Sequence, residues 1–539
     1  MAIKNKLNLV KNSAHLLKTG LGYAIASARG RAAGRRYLLE TLQSGTGIHA
    51  KFGQILAMKW PENQNSAGEN NKINNVEKNQ ENHFHKSEAL LSAEQISELL
   101  KIESPAFLNQ IISIDQKAYA ASLGQVHFAK LKSSEQIAFK VQYPDVQEEI
   151  QSQFKTLMKL SAASPAKRYN FNFDEFSNYL SGHFFEETDY LHEARVQKIF
   201  YKKFESFSSS LGDKVVIPEV FLQYSTQKLL VQSCEPITDF SQVVQWSEAH
   251  RRRCSVLFVE SFLHSLFQLG HIHSDLNPGN WGFRKSKKNE TSLCELVYYD
   301  FGSTLVIPQQ NQLLALVRLV SDIQSRKNIS PLAHFSILGF DIEKLKFIAP
   351  QLPALCERLF MPLLSERAFL PAEWDLAGHF DRILGDNKWW FRMAGPPWFF
   401  LLMRSVQGLC WAIDKLNVPI SIATCWQHAT AHLELESQLL KLNLPEKYSE
   451  FSTISSFDKF AKQLCIRITE NGREKINLSL PVRIVDEIES YLPLETVSEI
   501  KEAGENLSEI KLRIQRSGYV PQNVLSKQID SKKFEVFLV

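Results

Sequence analysis

"GHIHSDLNPGNWGF", residues 270–283, and "YYDFGST", residues 298–304, decide how this chain is read. The first sets Asp275 five residues before Asn280, and the second sets Asp300 before Phe301 and Gly302, at the end of the apolar run "LVYY". Phosphoryl transfer needs hard oxygen ligands for magnesium from two chain segments, and a further carboxylate near the γ-phosphate to orient or deprotonate the acceptor. On that layout Asn280 and Asp300 are the metal ligands, and Asp275 is the base or acceptor-orienting group. Asp-Phe-Gly alone occurs in many loops. Its combination with His273-x-Asp275 and the Asp-to-Asn spacing is what carries the assignment.

A nucleotide site also needs a cation near the α and β phosphates. Lys140 lies inside the strand-like run "IAFKVQY", residues 137–143, where a buried ammonium is costly unless paired. Glu193 in "DYLHEARVQ", residues 189–197, is its natural partner. That glutamate falls on a segment that reads as one long helix from Asn172 to about Phe204, because Phe176, Leu180 and Phe184 recur four apart. The catalytic set is therefore Asp275, Lys140 and Glu193. A GxGxxG loop is absent from the stretch before Lys140. In its place stands "AYAASLGQVH", residues 118–127, whose small side chains let the backbone approach phosphates closely. The nucleotide-binding set is Ala120, Ala121, Ser122, Gly124, Gln125 and Lys140.

Bulk composition limits the alternatives. The 539 residues, 44% hydrophobic and 22% charged, can bury a large core, and a net charge of +4 does not argue for wrapping nucleic acid. Seven scattered cysteines with no CxxC pair suit a reducing compartment. The most apolar stretch, "PPWFFLLMRSVQGLCWAIDKL", is interrupted by Arg404 and Gln407 and reads as a buried helix, not a membrane span. From Met1 to Arg36 there are eight Lys or Arg and no acid, with apolar residues at roughly helical spacing. Such a helix can pack on its own domain or lie on an anionic membrane surface, and an organelle transit segment stays open. Cys425, His428 and His432 share one side of a predicted helix but lack a fourth ligand nearby, so they read as helix residues and not a zinc site.

The chain divides into residues 1–60, a basic N-terminal extension; 61–88, an Asn/Gln-rich insert that cannot repay its ordering entropy; 89–235, with strand pairs and a helix; 236–445, mostly helical; and 446–539, a mixed segment. The strands at 123–143 should form a hairpin, Gly270 should cap the helix beginning near His250, and "RKSKKNETS", residues 284–292, should be an exposed hairpin turn.

Taken in order, "KFGQ" (51–54), "AYAASLGQVH", "AFKVQYP", "EETDYLHEA" (186–194), "HSDLNPGN" and "DFG" resemble the UbiB family of atypical protein-kinase-like proteins over roughly residues 40–420. The resemblance implies an α+β, two-lobed protein-kinase-like fold with an N-terminal helical extension carrying the KxGQ motif and a mixed C-terminal extension. It implies binding of ATP or ADP with Mg2+, and an ATPase or small-molecule kinase supporting ubiquinone or other isoprenoid-lipid metabolism. By the same resemblance, Lys51 and Gln54 belong to a helix covering the active site, with Lys51 paired to Glu187 and Asp189 beside it. Partners would be nucleotide, an isoprenoid or quinone-precursor lipid, a membrane surface and proteins of lipid biosynthesis, in a cytoplasmic or membrane-peripheral setting. The family usually reads HADPHPGN where this chain has Ser274, Leu276 and Asn277, so the metal and base positions survive while the loop between them differs. A non-catalytic nucleotide-sensing scaffold is the rival reading, and an antibiotic- or sugar-kinase-like phosphotransferase a weaker one.

Overall fold

The alternation in "GQVHFAKL" and "QIAFKVQ" produces the expected hairpin. In the computed structural model, residues 91–121, 123–144, 146–147, 181–182, 185–286, 293–325, 331–364, 367–448, 461, 463–482, 485, 492–502, 504–516 and 521–539 are described. The basic N-terminal segment, Lys51, Gln54, the 61–88 insert and Ser122 lie outside them.

Helix α1 (Ala93–Glu103) starts where Ser92 and Gln95 close a capping box, each side chain taking the other's backbone N–H, and α2 (Pro105–Leu108) begins on a proline suited to a first turn. Strands β1 (Ile111–Ala120), β2 (Gly124–Leu131), β3 (Gln136–Gln142) and β5 (Leu229–Ser233) form an antiparallel sheet in the order β1-β2-β3-β5. Between them in sequence come α3 (Tyr190–Phe204) and the short β4 (Lys214–Val216). Ile96, Leu100, Phe107, Phe139, Val141 and Val231 pack under α1 and α2 on one face, with the Phe107 and Phe139 rings edge to face at 5.6 Å. On the opposite face Tyr190 and Ala194 of α3 pack on Leu230. Strand β3, covered on both sides, is buried along all but its first residue.

Register assigns each side chain to a face. Val126 pairs with Lys140 and Lys140 with Leu230, so Lys140 looks toward α3. Gln125 pairs with Val141, and His127 with Phe139, so those two side chains occupy the α1 face. Gly124 is required by packing: a Cβ there would sit 2.1 Å from the Val141 carbonyl oxygen and 2.8 Å from the Tyr190 hydroxyl. Because a strand carbonyl cannot rotate away, Gly124→Ala is expected to destabilise the protein by about 1–3 kcal/mol. Chemical denaturation would read this as a lower midpoint at unchanged slope, and a wild-type midpoint would overturn the packing argument.

The predicted long helix from Asn172 is corrected. Thr188 and Asp189 close i→i+3 turns onto Phe185 and Glu186, and α3 starts afresh at Tyr190, where the Asp189 carboxylate accepts the N–H groups of Leu191 and His192. Apolar spacing does not register such an interruption; a side-chain cap does. Phe176, Leu180 and Phe184 lie outside the described residues.

Helix α4 (Glu248–His264) passes into a π-turn over Ser265–Leu269, and Gly270 caps it in the left-handed conformation, φ 60°. Strands β6 (Trp281–Lys285) and β7 (Cys294–Tyr298) pair antiparallel as the expected hairpin, whose tip at 287–292 lies outside the described residues, and β4 joins β7 in parallel. Asp213 secures this sheet by accepting the Cys294 N–H at 2.7 Å and pairing with Arg253.

Contacts divide the chain into two compact units. The first comprises, of the described residues, those up to Leu257, His273–Leu305 and Phe400–Gly408. The second comprises Phe258–Ile272, Val306–Phe399 and Leu409–Val539. The second is mostly helical up to residue 439, including α5 (Gln310–Gln324), and α6 (Pro397–Leu416) runs through both assignments. In α5 the buried Asp322 binds Arg318 at 2.8 Å and His334 at 3.3 Å. Further along, Cys425 of α7 (Ile422–Thr430) is buried while His428 and His432 are exposed. The C-terminal segment forms the antiparallel sheet β9-β8-β11-β10, from β8 (Gln463–Glu470), β9 (Arg473–Pro481), β10 (Gln522–Ile529) and β11 (Lys532–Leu538), with Ile468 and Phe534 at its core. Among the described residues no helix is long and apolar enough to cross a membrane.

Candidate phosphoryl-transfer site

All the described site residues belong to the first unit. Strand β3 sends Lys140 toward α3, where its Nζ lies 3.1 and 3.2 Å from the two Glu193 carboxylate oxygens, and 3.0 Å from Asp300 Oδ2. The Tyr190 ring lies 4.9 Å from the same nitrogen. Burial by itself would lower the Lys140 ammonium, but Asp300 and then Glu193 outweigh it and hold it well above its ordinary range. Glu193 is almost wholly buried, and that burial pushes its carboxyl up to about 7 against the pull of Lys140. Two carboxylates thus share one ammonium. Glu193 is the drier of them, and Asp300 keeps about a quarter of its side chain exposed.

The segment around Asp300 is fixed from several sides. Glu193 Oε1 accepts the Phe301 N–H at 3.2 Å, and Asp300 Oδ1 accepts that of Gly302 at 3.0 Å. The buried Phe301 ring packs on Phe200 of α3 at 4.9 Å and on His273 at 5.6 Å. Gly302 fits where a Cβ would meet Asp300 and Glu193 oxygens at 3.3 Å.

The preceding loop is tied to this one through His273. Its Nδ1 accepts the Asp275 N–H at 3.2 Å, which leaves Nε2 to carry the proton and donate to the Asp300 carbonyl. Burial lowers the affinity of His273 for a second proton and suits that neutral form. Ser274 donates its N–H to the Ser303 carbonyl at 3.0 Å, and Tyr299 donates its own to the Asn280 carbonyl at 3.2 Å, which brings Asn280 alongside Asp300. Asn280 Nδ2 donates to the Asp275 carbonyl at 2.9 Å, turning the amide oxygen to the other side. Asp275 Oδ1 accepts from Asn277 Nδ2 at 2.6 Å and from Arg404 Nη2 at 2.8 Å.

The donor set fits magnesium. Asp300 and Asn280 offer one carboxylate and one amide oxygen from adjacent segments, and Mg2+ takes one or two protein oxygens when phosphates and water complete its shell. Lys140, Glu193, Asp300, Asp275 and Asn280 are thus brought together. Ala120 ends β1 and Ala121 follows it, its N–H closing onto the Gly124 carbonyl at 2.8 Å. Gln125 is different: its fully buried side chain bonds His127 at 3.1 Å on the α1 face, away from Lys140, and strand alternation is the reason. Glu187 is buried and Asp189 caps α3, while their expected counterparts Lys51 and Gln54 lie outside the described residues.

Residues 85–328 match the family model described as the ABC1 atypical kinase-like domain. Over those residues the chain has the ABC1 atypical kinase-like domain. The domain is that of the family, also called UbiB, that the ordered motifs resemble. The chain is 26% identical over 275 residues to "Atypical kinase COQ8B, mitochondrial" of Danio rerio, covering 50% of this chain and 41% of that protein. It is 30% identical over 191 residues to "Atypical kinase coq-8, mitochondrial" of Caenorhabditis elegans, covering 35% and 24%. "Protein ACTIVITY OF BC1 COMPLEX KINASE 8, chloroplastic" of Arabidopsis thaliana is 28% identical over 194 residues, covering 34% and 24%. The chain therefore spans less than half the length of each of these relatives. Among solved structures, the Rv3197–erythromycin complex from Mycobacterium tuberculosis is 17% identical with a TM-score of 0.45, covering 80% of this chain and all of that one.

Three residues at the site are not legible as functional in the sequence: Arg404, Asn277 and Tyr190. Arg404 did leave a signal, a charge inside an otherwise apolar helix, which demands a buried partner. Nothing in the sequence names that partner, 129 residues away.

Proposed function

We propose that the ABC1 domain is a magnesium-dependent ATPase or small-molecule kinase that supports ubiquinone or other isoprenoid-lipid metabolism at a membrane surface. The observation that carries this reading is the Lys140 ammonium shared between Glu193 and Asp300, with Asp275 and Asn280 tied to the same segment. Lys140, positioned by Glu193, would bind phosphate oxygens of ATP, and the backbone from Ala120 to Gly124 would approach them closely. Asp300 and Asn280 would hold magnesium, which when bound neutralises charge on the phosphate oxygens. Asp275 orients the acceptor. The lipid and membrane parts rest on the family resemblance and on the basic segment before Tyr37. Names of relatives that include "mitochondrial" and "chloroplastic" support an organelle setting.

One observation favours a second reading, a nucleotide-sensing scaffold: Asp275 Oδ1 is already engaged by Arg404 and Asn277. Phosphate release from ATP with magnesium, with and without liposomes containing a quinone-precursor mimic, separates the two. The enzyme reading expects turnover stimulated by the liposomes and reduced about 100- to 10,000-fold in Asp275→Asn. Nucleotide binding without turnover, indifferent to Asp275, would decide for the scaffold.

A further inference from the structure

Tyr190 carries a buried donor that the folded chain leaves unused. It opens α3 with its backbone N–H bonded to the Gln227 carbonyl at 3.1 Å, and its fully buried ring packs with Ala194 and Leu230, so the hydroxyl cannot swing away to find an acceptor. Among the described residues that hydroxyl has no hydrogen-bond partner. A buried hydroxyl without a partner forfeits its hydration and gains nothing in return, a cost that phenylalanine in the same place would not incur. Its surroundings are those of the candidate site. The ring lies 4.9 Å from Lys140 Nζ, and a Cβ on Gly124 would come within 2.8 Å of the hydroxyl oxygen. Tyr190 therefore reaches from the ammonium to the residue where the 120–124 loop enters β2. The carboxylates of that cluster are engaged: Glu193 and Asp300 receive the Lys140 ammonium and the N–H groups of Phe301 and Gly302. Gln125, beside Gly124, turns to the α1 face and bonds His127.

We propose that Tyr190 is a phosphate-binding residue of the nucleotide site, its hydroxyl donating a hydrogen bond to a phosphate oxygen held by Lys140 and by the backbone from Ala120 to Gly124. This rests on the nucleotide-binding part of the reading above and adds a neutral donor to it. A phosphate group is rich in strong acceptor oxygens, which is what the chain itself fails to supply at this hydroxyl. Because the ring is already fixed by Ala194 and Leu230, binding immobilises no further side chain there, and the whole hydrogen bond counts toward affinity. The hydroxyl then acts against the nucleotide-free fold, where it is orphaned, and in favour of the complex, where it is paired. A hydroxyl with a purely structural part would do the reverse, supporting the free protein and leaving affinity alone.

The test compares the full chain with its Tyr190→Phe variant, which keeps the ring beside Lys140 and removes only the hydroxyl. Calorimetric titration with Mg·ADP, competition of that binding by magnesium pyrophosphate, and urea unfolding without nucleotide are measured on both. Hydrogen bonds to charged groups are among the stronger ones, so Mg·ADP affinity should fall about 10- to 100-fold in Tyr190→Phe. Pyrophosphate, which lacks the nucleoside, should lose the same factor. The urea midpoint of the nucleotide-free protein should stay where it is or rise, because the orphaned group has gone. Unchanged Mg·ADP affinity would overturn the proposal, and a loss confined to ADP would do so by placing the contact on the nucleoside. A lowered midpoint, or a variant that does not fold, would mean that the hydroxyl serves the folded chain itself, which also overturns it. Wild type that binds no ADP sinks the nucleotide reading and this proposal together; wild type and Tyr190→Phe that bind ADP equally well sink this proposal alone.

Discussion

Asp300→Asn is expected to abolish magnesium-dependent binding of ADP while leaving the protein folded. The substitution removes the charged member of the candidate metal pair and keeps its shape, and the Lys140–Glu193 contact at 3.1 Å survives to hold β3 against α3. Changes to groups that merely support a metal ligand cost about 10- to 100-fold in affinity, so loss of the carboxylate ligand itself should cost at least about 100-fold. Calorimetric titration with ADP, in magnesium and again in chelator, isolates the effect. Wild type should bind far more tightly with magnesium, and the variant should bind equally weakly in both. A variant that retains the wild-type magnesium dependence would remove Asp300 from the metal site, and with it the assignment of the second loop.

Lys140→Met should have the largest effect on stability. Breaking a buried pair by removing one partner costs about 3–5 kcal/mol, because the other charge stays buried without compensation. Here two carboxylates, Glu193 and Asp300, depend on the one ammonium. The sign with pH follows from Glu193. Its carboxyl sits near 7 when folded, against an ordinary value of 4.5, so the folded state binds more protons in that window and stability from this group falls as pH rises through it. Without Lys140 the window extends upward. The deficit of Lys140→Met should be smallest near pH 4.5 and largest above pH 7, and adding Glu193→Gln should recover part of it. Urea denaturation at several pH values reads this directly; a deficit that is flat with pH, or unrelieved by Glu193→Gln, would mean that the three groups are not electrostatically linked.

The parts of the site legible in the sequence are those set by spacing along the chain. Asp275 and Asn280 are five residues apart on one loop, and Asp300 ends an apolar strand, so local geometry already brings each to a recognisable position. Lys140 was legible for a different reason: an ammonium within a buried strand demands an acid, and Glu193 satisfies it at 3.1 Å. The hairpin at Gly124–Gln142, the Gly270 cap and the strand pair flanking residues 287–292 were likewise local features.

What the sequence left open depends on which face or which distant segment a residue meets. Apolar periodicity carries no record of the cap at Asp189, and so predicts a helix unbroken from Asn172. Small-residue composition grouped Gln125 with its loop neighbours, whereas strand alternation turns its side chain onto the α1 face. By itself, the sequence determined the strand that bears the lysine and the residues that bear oxygen. Tertiary structure alone decided that Arg404 meets Asp275, that His273 links the two loops, and that Gly124 and Gly408 are points of closest approach. The physical reason is that motif spacing is enforced by covalent geometry over a few residues, whereas burial forces every charge to find a partner and leaves its identity to the packing of segments far apart in the chain.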